Sequence, residues 1–514
     1  MNTCLIILDG FGISSQPYGN AVLNAKTPTF DYFATNFPHA LLKTSSESVG
    51  LGYGVWGNSE TGHATIGSGR VCWQNMEEIQ KMLENKEVEH LDSYISFSKS
   101  IQDKNLHIIS LFSDGNVHSN YKQTIEFIKL FQKNAKKVWI HIISDGRDSD
   151  PQALKKYVNS FLNNINIDYD KVEIASIIGR FYAMDRDLNW ERVKTAYDLI
   201  VNKRAKVFNP KPRIAINDAY KIVPDDEKLP PILVGENYEF QQDDPIFFAN
   251  FRADRTRQLV RMFKDKISYD NSKTINSPVL TLTNYQLDHL NLKSLIPLKV
   301  LENTLSQTIS SSGVHQLHIA ETEKYAHVTY FFNGGQNKAF IGETDRIIPS
   351  IKTDSYDKVP QMSSGEITDQ IIKEMHIQKN QFILVNFANA DMLGHTGNYL
   401  ATIKSIEFLD QCLAKLYKSA QENQYTFFIT ADHGNADLMI DMSTKLPNKE
   451  HSTSPVPFIF VNDQYKKQKN IDISEFYNCI PIGILADIAP TILEFVKITK
   501  PAQMTGQSLL KSLS

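Results

Sequence analysis

The sequence predicts an α/β protein of two domains, one inserted into the other, and three observations predict it. Three apolar, strand-like runs, Cys4 to Leu8, Phe382 to Phe387 and Phe427 to Ala431, lie hundreds of residues apart yet deliver acidic or imidazole groups at or just past their ends. These groups are Asp9, then Asp391 and His395, then Asp432 and His433. Open α/β sheets bind ligands outside the carboxyl ends of their strands, so the three ends are expected to meet in one cation site. The residues between them repeat a strand and helix pattern of their own, and 514 residues with 41% apolar content support two or three cores.

Read in order, the first strand ends at Asp9, and Ser59 opens a helix after a glycine-bounded turn. Residues 75–297 form the expected insert, leaving 1–74 and 298–514 as a discontinuous outer domain. Within the insert, runs at 106–112, 138–143, 172–178 and 246–251 read as strands that alternate with helices at 121–133 and 190–201, which implies βα units and a mainly parallel sheet. The outer domain resumes with a helix over 303–311 and a strand over 314–319. Ser363 followed by Glu366 has the spacing of a capping box opening a helix through Met375. Ile403, Ile406, Leu409, Leu413 and Leu416 keep helical spacing, and a last helix is expected over 485–496.

A formal charge of -4 argues against a nucleic-acid or membrane-surface partner. Cys4, Cys72, Cys412 and Cys479 show no CxxC spacing, and no run reaches the ~18 apolar residues of a membrane span, so a reducing cytoplasm is the expected location. Only 12 of the 54 basic residues are arginine, and 10 of those lie between Arg147 and Arg261. The guanidinium fork matches phosphate and carboxylate oxygens bidentately, so this concentration points to a small anion bound by the insert, where a solvated basic face is the plainer alternative.

Asp391 and His395 are four apart and reach one ion if their turn is helical. Asp432 and His433 are adjacent and point in different directions, so they are expected to serve two different ions. His451 follows on a proline-stiffened loop. Each residue alone reads equally as a turn former or a solvated histidine, but together their oxygen and nitrogen donors suit manganese or zinc, and magnesium where oxygens dominate. Ser59, in Gly57-Asn58-Ser59-Glu60-Thr61-Gly62-His63, is the candidate nucleophile, or else a helix N-cap.

These residues sit in ordered motifs: Leu8-Asp9-Gly10-Phe11-Gly12, Gly57-Asn58-Ser59-Glu60, Asp145-Gly146-Arg147-Asp148, Gly179-Arg180-Phe181-Tyr182, Phe251-Arg252-Ala253-Asp254-Arg255, Glu321-Thr322-Glu323-Lys324-Tyr325 and Thr430-Ala431-Asp432-His433-Gly434-Asn435. Over essentially its whole length the chain resembles the cofactor-independent (2,3-bisphosphoglycerate-independent) phosphoglycerate mutases of the alkaline phosphatase superfamily. The resemblance implies an alkaline-phosphatase-like metal domain carrying an inserted α/β phosphotransferase domain. It implies two divalent ions, manganese above all, one held by Asp391, His395 and His451 and the other by Asp9, Ser59, Asp432 and His433, with no 2,3-bisphosphoglycerate. It also implies phosphoglycerate bound by His118, Arg147, Asp148, Arg180, Arg186, Arg252, Arg255 and Lys324, a phosphoryl group carried on Ser59, catalytic roles for Asp148 and Lys324, and a monomer.

The chain departs from the family pattern at 51–56, at Thr61 and at Asn120, where a second histidine is common. A metal-dependent phosphohydrolase or phosphopentose mutase would share the outer domain, and a noncatalytic metal-binding protein would be expected to lack Ser59 or some ligands. Arg186 beside Asp185 and Asp187 also reads as a surface ion pair, Lys324 as a solvated lysine and His118 as a turn cap.

Overall fold

A computed structural model describes residues 2–265, 275–297, 300–467 and 471–513. The chain divides into two compact units, Met1–Gln74 with Val300–Ser514, and Asn75–Lys299. Residues 1, 298 and 514, which bound the expected outer domain, lie outside the described residues.

The first unit is built on an eight-stranded sheet in the order Glu343–Ile348, Gln316–Glu321, Phe382–Phe387, Asn2–Leu8, Tyr425–Thr430, Val456–Val461, His39–Lys43, Gly483–Ile484. The first five strands run parallel, and Val456–Val461 is antiparallel to both its neighbours. Asn2–Leu8 sits inside the sheet with Phe382–Phe387 on one side and Tyr425–Thr430 on the other. A strand covered on both faces has no polar face to show, which is why NTCLIIL, FILVNF and YTFFIT read as nearly unbroken apolar runs.

The second unit has its own eight-stranded sheet, ordered Lys293–Ser294, Val279–Thr281, Ile246–Phe248, Asn105–Phe112, Lys137–Ser144, Val172–Gly179, Ile232–Leu233, Val207–Phe208. Alternate side chains along a strand face opposite ways. Ile108, Ile142 and Ile177 accordingly enter one buried cluster, while Ile109, Ile143 and Ile178 enter another. Helices Tyr121–Phe131 and Leu154–Leu162 cover the first face, and Trp190–Asn202 and Arg257–Lys264 cover the second.

Several elements differ from expectation. The strand at 246 stops at Phe248, the helix near 303 spans Leu305–Ser311, and the strand near 314 spans Gln316–Glu321. Ser363 stands at the N-cap of Ser364–Ile377, but its hydroxyl donates to Pro349 O at 2.9 Å, so the capping box does not form. The last helix begins as a 3-10 turn, Leu485–Asp487, before Ile488–Phe495. All four cysteines are free, and among the described residues no helix is long and apolar enough to cross a membrane.

Candidate metal centre and anion site

The strands Phe382–Phe387, Asn2–Leu8 and Tyr425–Thr430 are neighbours in register, with Leu8 opposite Phe387 and Ile7 opposite Thr430, so the residues that follow them emerge together. Gly10 turns the chain sharply at φ +75°, and a Cβ there would lie 2.6 Å from Asp391 Cα. Glycine alone permits that approach. The Asp391 N–H donates to Asp9 O at 3.0 Å and the Gly10 N–H donates to Asp432 Oδ1 at 3.3 Å, which ties the three strand ends to one another.

Asp391 and His395 lie one turn apart on the helix Asn389–Thr396. Nε2 of His395 is 3.2 Å and Nε2 of His451 3.3 Å from Asp391 Oδ1, and the two nitrogens are 3.1 Å apart. The other ring nitrogens settle the tautomers: Nδ1–H of His395 donates to Lys449 O and Nδ1–H of His451 to Gly57 O, each at 2.8 Å. Two imidazole lone pairs and a carboxylate oxygen thus converge, an arrangement that suits a cation and repels anything else.

Ser59 is the first residue of the helix Ser59–Ser68, and Asn58, not Ser59, caps that helix by accepting from the Thr61 N–H at 2.9 Å. The serine hydroxyl is left facing the strand ends. Its Oγ lies 2.9 Å from Lys324 Nζ, 3.0 Å from His433 Nε2 and 3.3 Å from Asp9 Oδ1. Lys324 is buried rather than solvated, and its ammonium also donates to Asp9 Oδ1 at 2.8 Å and Asp391 Oδ2 at 2.6 Å. His433 Nε2 lies 3.5 Å from both Asp9 Oδ1 and Asp432 Oδ2. Asp432 and His433 thus approach each other, while His433 groups with Asp9 and Asp391 and Asp432 groups with Asp9 and His63.

Of three buried carboxylates, Asp9 and Asp391 pair with Lys324, and Asp432 lies against His63 and His433. Burial opposes charge on each, and it pushes Asp9 up, with adjacent Asp432 adding to the rise. Against the same burial, Lys324 holds Asp391 well below the usual carboxylate range, helped by His395 and His451, while His433 and His63 hold Asp432 low. Lys324 itself is burdened by burial, yet Asp391 and Asp9 keep it charged far into the alkaline range. Asp432 Oδ2 is buried 3.2 Å from His63 Nδ1 without a well-aligned hydrogen bond. That oxygen, amid buried carboxylates and convergent imidazole nitrogens, fits divalent cations. Asp391, His395 and His451 form one donor group, and Asp9 joins Asp391 and His433 in a second.

In the insert, Arg180 is buried and its Nη1 bonds Asp145 Oδ1 at 2.6 Å and Asp148 Oδ2 at 2.5 Å. His118 lies 3.9 Å from Asp148 Oδ2 and 3.4 Å from Asp254 Oδ1, and burial, with Arg180 beside it, pushes it down to about 4. Arg147 pairs with Glu227 at 2.5 Å, while Asp254 receives Arg252 at 3.2 Å and Arg186 at 3.5 Å. The partner of Arg186 is thus Asp254 and neither flanking aspartate. Burial and the nearby Arg186, Arg180 and Arg147 push Arg255 down, the signature of crowded guanidiniums. Arg147, Arg186 and Arg252 keep about half of their side-chain surface open to solvent, at 49%, 52% and 54%, so this crowded positive surface remains accessible to an anion.

Residues 1–500 match the metalloenzyme superfamily. The chain is 40% identical to the 2,3-bisphosphoglycerate-independent phosphoglycerate mutase of Francisella philomiragia over 99% of both chains, and 41% identical to that of Antithamnion sp. over 98% of both. This chain belongs to that mutase family. A crystal structure of Leishmania mexicana phosphoglycerate mutase at low cobalt concentration shares the fold with a TM-score of 0.63, at 26% identity over 98% of this chain and 97% of that one. Family membership makes the chain an enzyme that depends on divalent metal.

Sequence reasoning missed the residues that hold the others. Asn386 Nδ2 donates to Asp9 Oδ2 at 2.7 Å and to His63 Nε2 at 3.0 Å, so His63 Nδ1 carries the hydrogen and faces Ser59 O at 2.9 Å and Asp432 Oδ2 at 3.2 Å. Asn435 Nδ2 donates to Asp391 Oδ1 at 2.8 Å. The available signals were the i, i+4 spacing of Ser59 and His63 and the one polar residue in FILVNF. Asp145, Glu227 and Asp254 were likewise missed as arginine partners. Asn120 caps the helix Tyr121–Phe131 by accepting from the Lys122 N–H at 2.8 Å.

Proposed function

We propose that the chain interconverts 3-phosphoglycerate and 2-phosphoglycerate through a phosphoserine at Ser59. The observation that carries this reading is the placement of Ser59 Oγ, released from capping by Asn58, within 3.3 Å of Lys324, His433 and Asp9. Asp391, His395 and His451 would hold one ion, and Asp9, Ser59, Asp432 and His433 the other. Two divalent cations, with manganese our choice, would supply an acidified serine hydroxyl and neutralised phosphoryl oxygens.

Ser59 Oγ attacks phosphorus, and the Oγ–P bond forms as the bond from phosphorus to the substrate's 3-oxygen breaks. Glycerate is retained and turns, its 2-oxygen attacks the phosphoserine, and the serine is restored. One proton passes overall from the 2-oxygen to the 3-oxygen, and we assign Asp148 to carry it. Lys324, charged at any working pH, offsets the negative charge that develops on the transferred group. His118, Arg147, Arg180, Arg186, Arg252 and Arg255 bind the carboxylate and hold glycerate between the two transfers. The crowded guanidiniums around Arg255 support this role. The insert is the substrate domain in this reading, the outer unit is the metal domain, and the enzyme works as a cytoplasmic monomer.

Conversion of 3-phosphoglycerate is read in an enolase-coupled assay, with inorganic phosphate measured beside it. A mutase gives 2-phosphoglycerate without stoichiometric phosphate release. Phosphate release matching substrate loss would make the protein a phosphatase.

A further inference from the structure

Outside the residues assigned above, one imidazole and two carboxylates gather beneath the edge of the outer unit's sheet. His318 lies in the strand Gln316–Glu321, its Cα opposite Asp345 of the edge strand Glu343–Ile348, and Glu343 stands two residues earlier on the same face. His318 Nδ1 is 3.4 Å from Glu343 Oε1 and 4.0 Å from Asp345 Oδ1. His318 and the Glu343 side chain are fully buried.

The hydrogen bonds around the ring decide which nitrogen carries the proton. Gln316 Nε2 donates to Ser306 O at 2.9 Å, so the Gln316 amide presents its oxygen, 3.3 Å away, to His318 Nε2. Nε2 is therefore a donor, and Nδ1 is the ring atom that faces the two carboxylates. Nδ1 of His318 and Oδ1 of Asp345 are both buried without a hydrogen-bond partner. Glu343 receives the Asn333 amide at 2.7 Å and the Phe340 N–H at 3.1 Å, and its carboxyl lies within hydrogen-bonding reach of Asp345. Burial pushes Asp345 up to about 6 and His318 down to about 4, so burial disfavours charge on both groups.

We propose that His318, Glu343 and Asp345 bind a third divalent cation. One imidazole nitrogen and two carboxylate oxygens suit zinc, manganese or cobalt rather than calcium or a thiolate-seeking ion. Bonds of ~2.0–2.2 Å to a tetrahedral ion set its ligands roughly 3.3–3.6 Å apart, close to the His318–Glu343 separation, and Asp345 closes by a few tenths of an ångström. The Asp345 side chain keeps 19% of its surface exposed, which gives the ion a way in and leaves a place for water as fourth ligand. The ion pins the edge strand to the strand that runs on to Lys324. Its role is structural, since none of the three residues reaches Ser59.

The test is a metal count on the full-length protein. After equilibrium dialysis against Zn2+, and separately against Mn2+, bound metal is measured by mass spectrometry. The wild type is expected to hold about three ions per chain and D345N or E343Q about two, with mutase activity retained. A wild type holding two, or variants holding as many as the wild type, overturns the proposal and leaves a shared proton as the occupant. The wild-type count decides the matter even if a variant fails to fold, and it reads independently of the mutase assay.

Discussion

The proposed mechanism places the chemistry on one oxygen, that of Ser59. S59A removes this proposed nucleophile and keeps the helix, because Asn58 is the cap. Activity is expected to fall by at least ~10⁴-fold with the thermal midpoint nearly unchanged, read by coupled assay and calorimetry. Lys324 answers to both stability and catalysis. Its ammonium bridges Asp9 and Asp391 at 2.8 and 2.6 Å, so K324M leaves buried carboxylates unpaired. The metal-stripped variant is expected to lose about 3–5 kcal/mol in denaturant titrations, and divalent metal should restore part of that loss. Asp9, Asp391 and Asp432 were legible because charges at the ends of apolar runs stand out. Asn386, Asn435 and His63 were not, because a residue that only orients a ligand has no spacing that marks it until the chain is folded. Ser363 shows the opposite failure: the capping spacing is present, yet Pro349 O takes the hydroxyl.

Among the elements, the helix Ser59–Ser68 lies so close to the Asp432 turn that a Cβ at Gly62 would sit 2.7 Å from Asp432 Cβ. G62A is expected to cost about 1–3 kcal/mol and to reduce activity by displacing Asp432, seen as weaker metal binding in titration calorimetry. The insert's sheet carries a chain of hydrogen bonds across three strands and the approach to a fourth. Asp244 is 3.2 Å from His107 Nε2, His107 Nδ1 is 3.1 Å from His141 Nε2, and His141 Nδ1 is 2.7 Å from Ser176 Oγ. The register shift between Ile140 and His141 is what brings His141 opposite Ser176. The chain closes with both rings neutral: His107 donates to Asp244, His141 donates to His107, and Ser176 donates to His141. Burial lowers both histidines, and for His141 the neighbouring His107 adds to it. With folded values below the unfolded value of about 6.5, the unfolded chain binds more protons, so this contribution is intact above pH ~6.5 and is lost as pH falls below it. Urea titrations should show stability declining from about pH 6.5 downward, and H141Q should flatten that slope. The pattern of strands was readable from the sequence; this network was not, because partners 34 to 137 residues apart leave no local trace.

For the whole molecule, the metal centre joins segments from both ends of the chain, so chelation is a change in stability as well as in rate. Stripping divalent metal is expected to abolish activity and lower the thermal midpoint, and re-adding single ions by turn should recover both, with manganese the most effective. The same connectivity sets the order of assembly during synthesis. Asn2–Leu8 is made before the insert, yet neither of its sheet neighbours exists until residues 382–387 and 425–430 have been made. At ~5–20 residues per second, that strand waits roughly 20–80 s for its first partner. All the strands of the insert's sheet are translated within that interval. A nascent chain of this enzyme therefore carries an unpaired apolar strand while the whole insert is made, an exposed edge open to wrong pairing until the residues of the metal centre arrive.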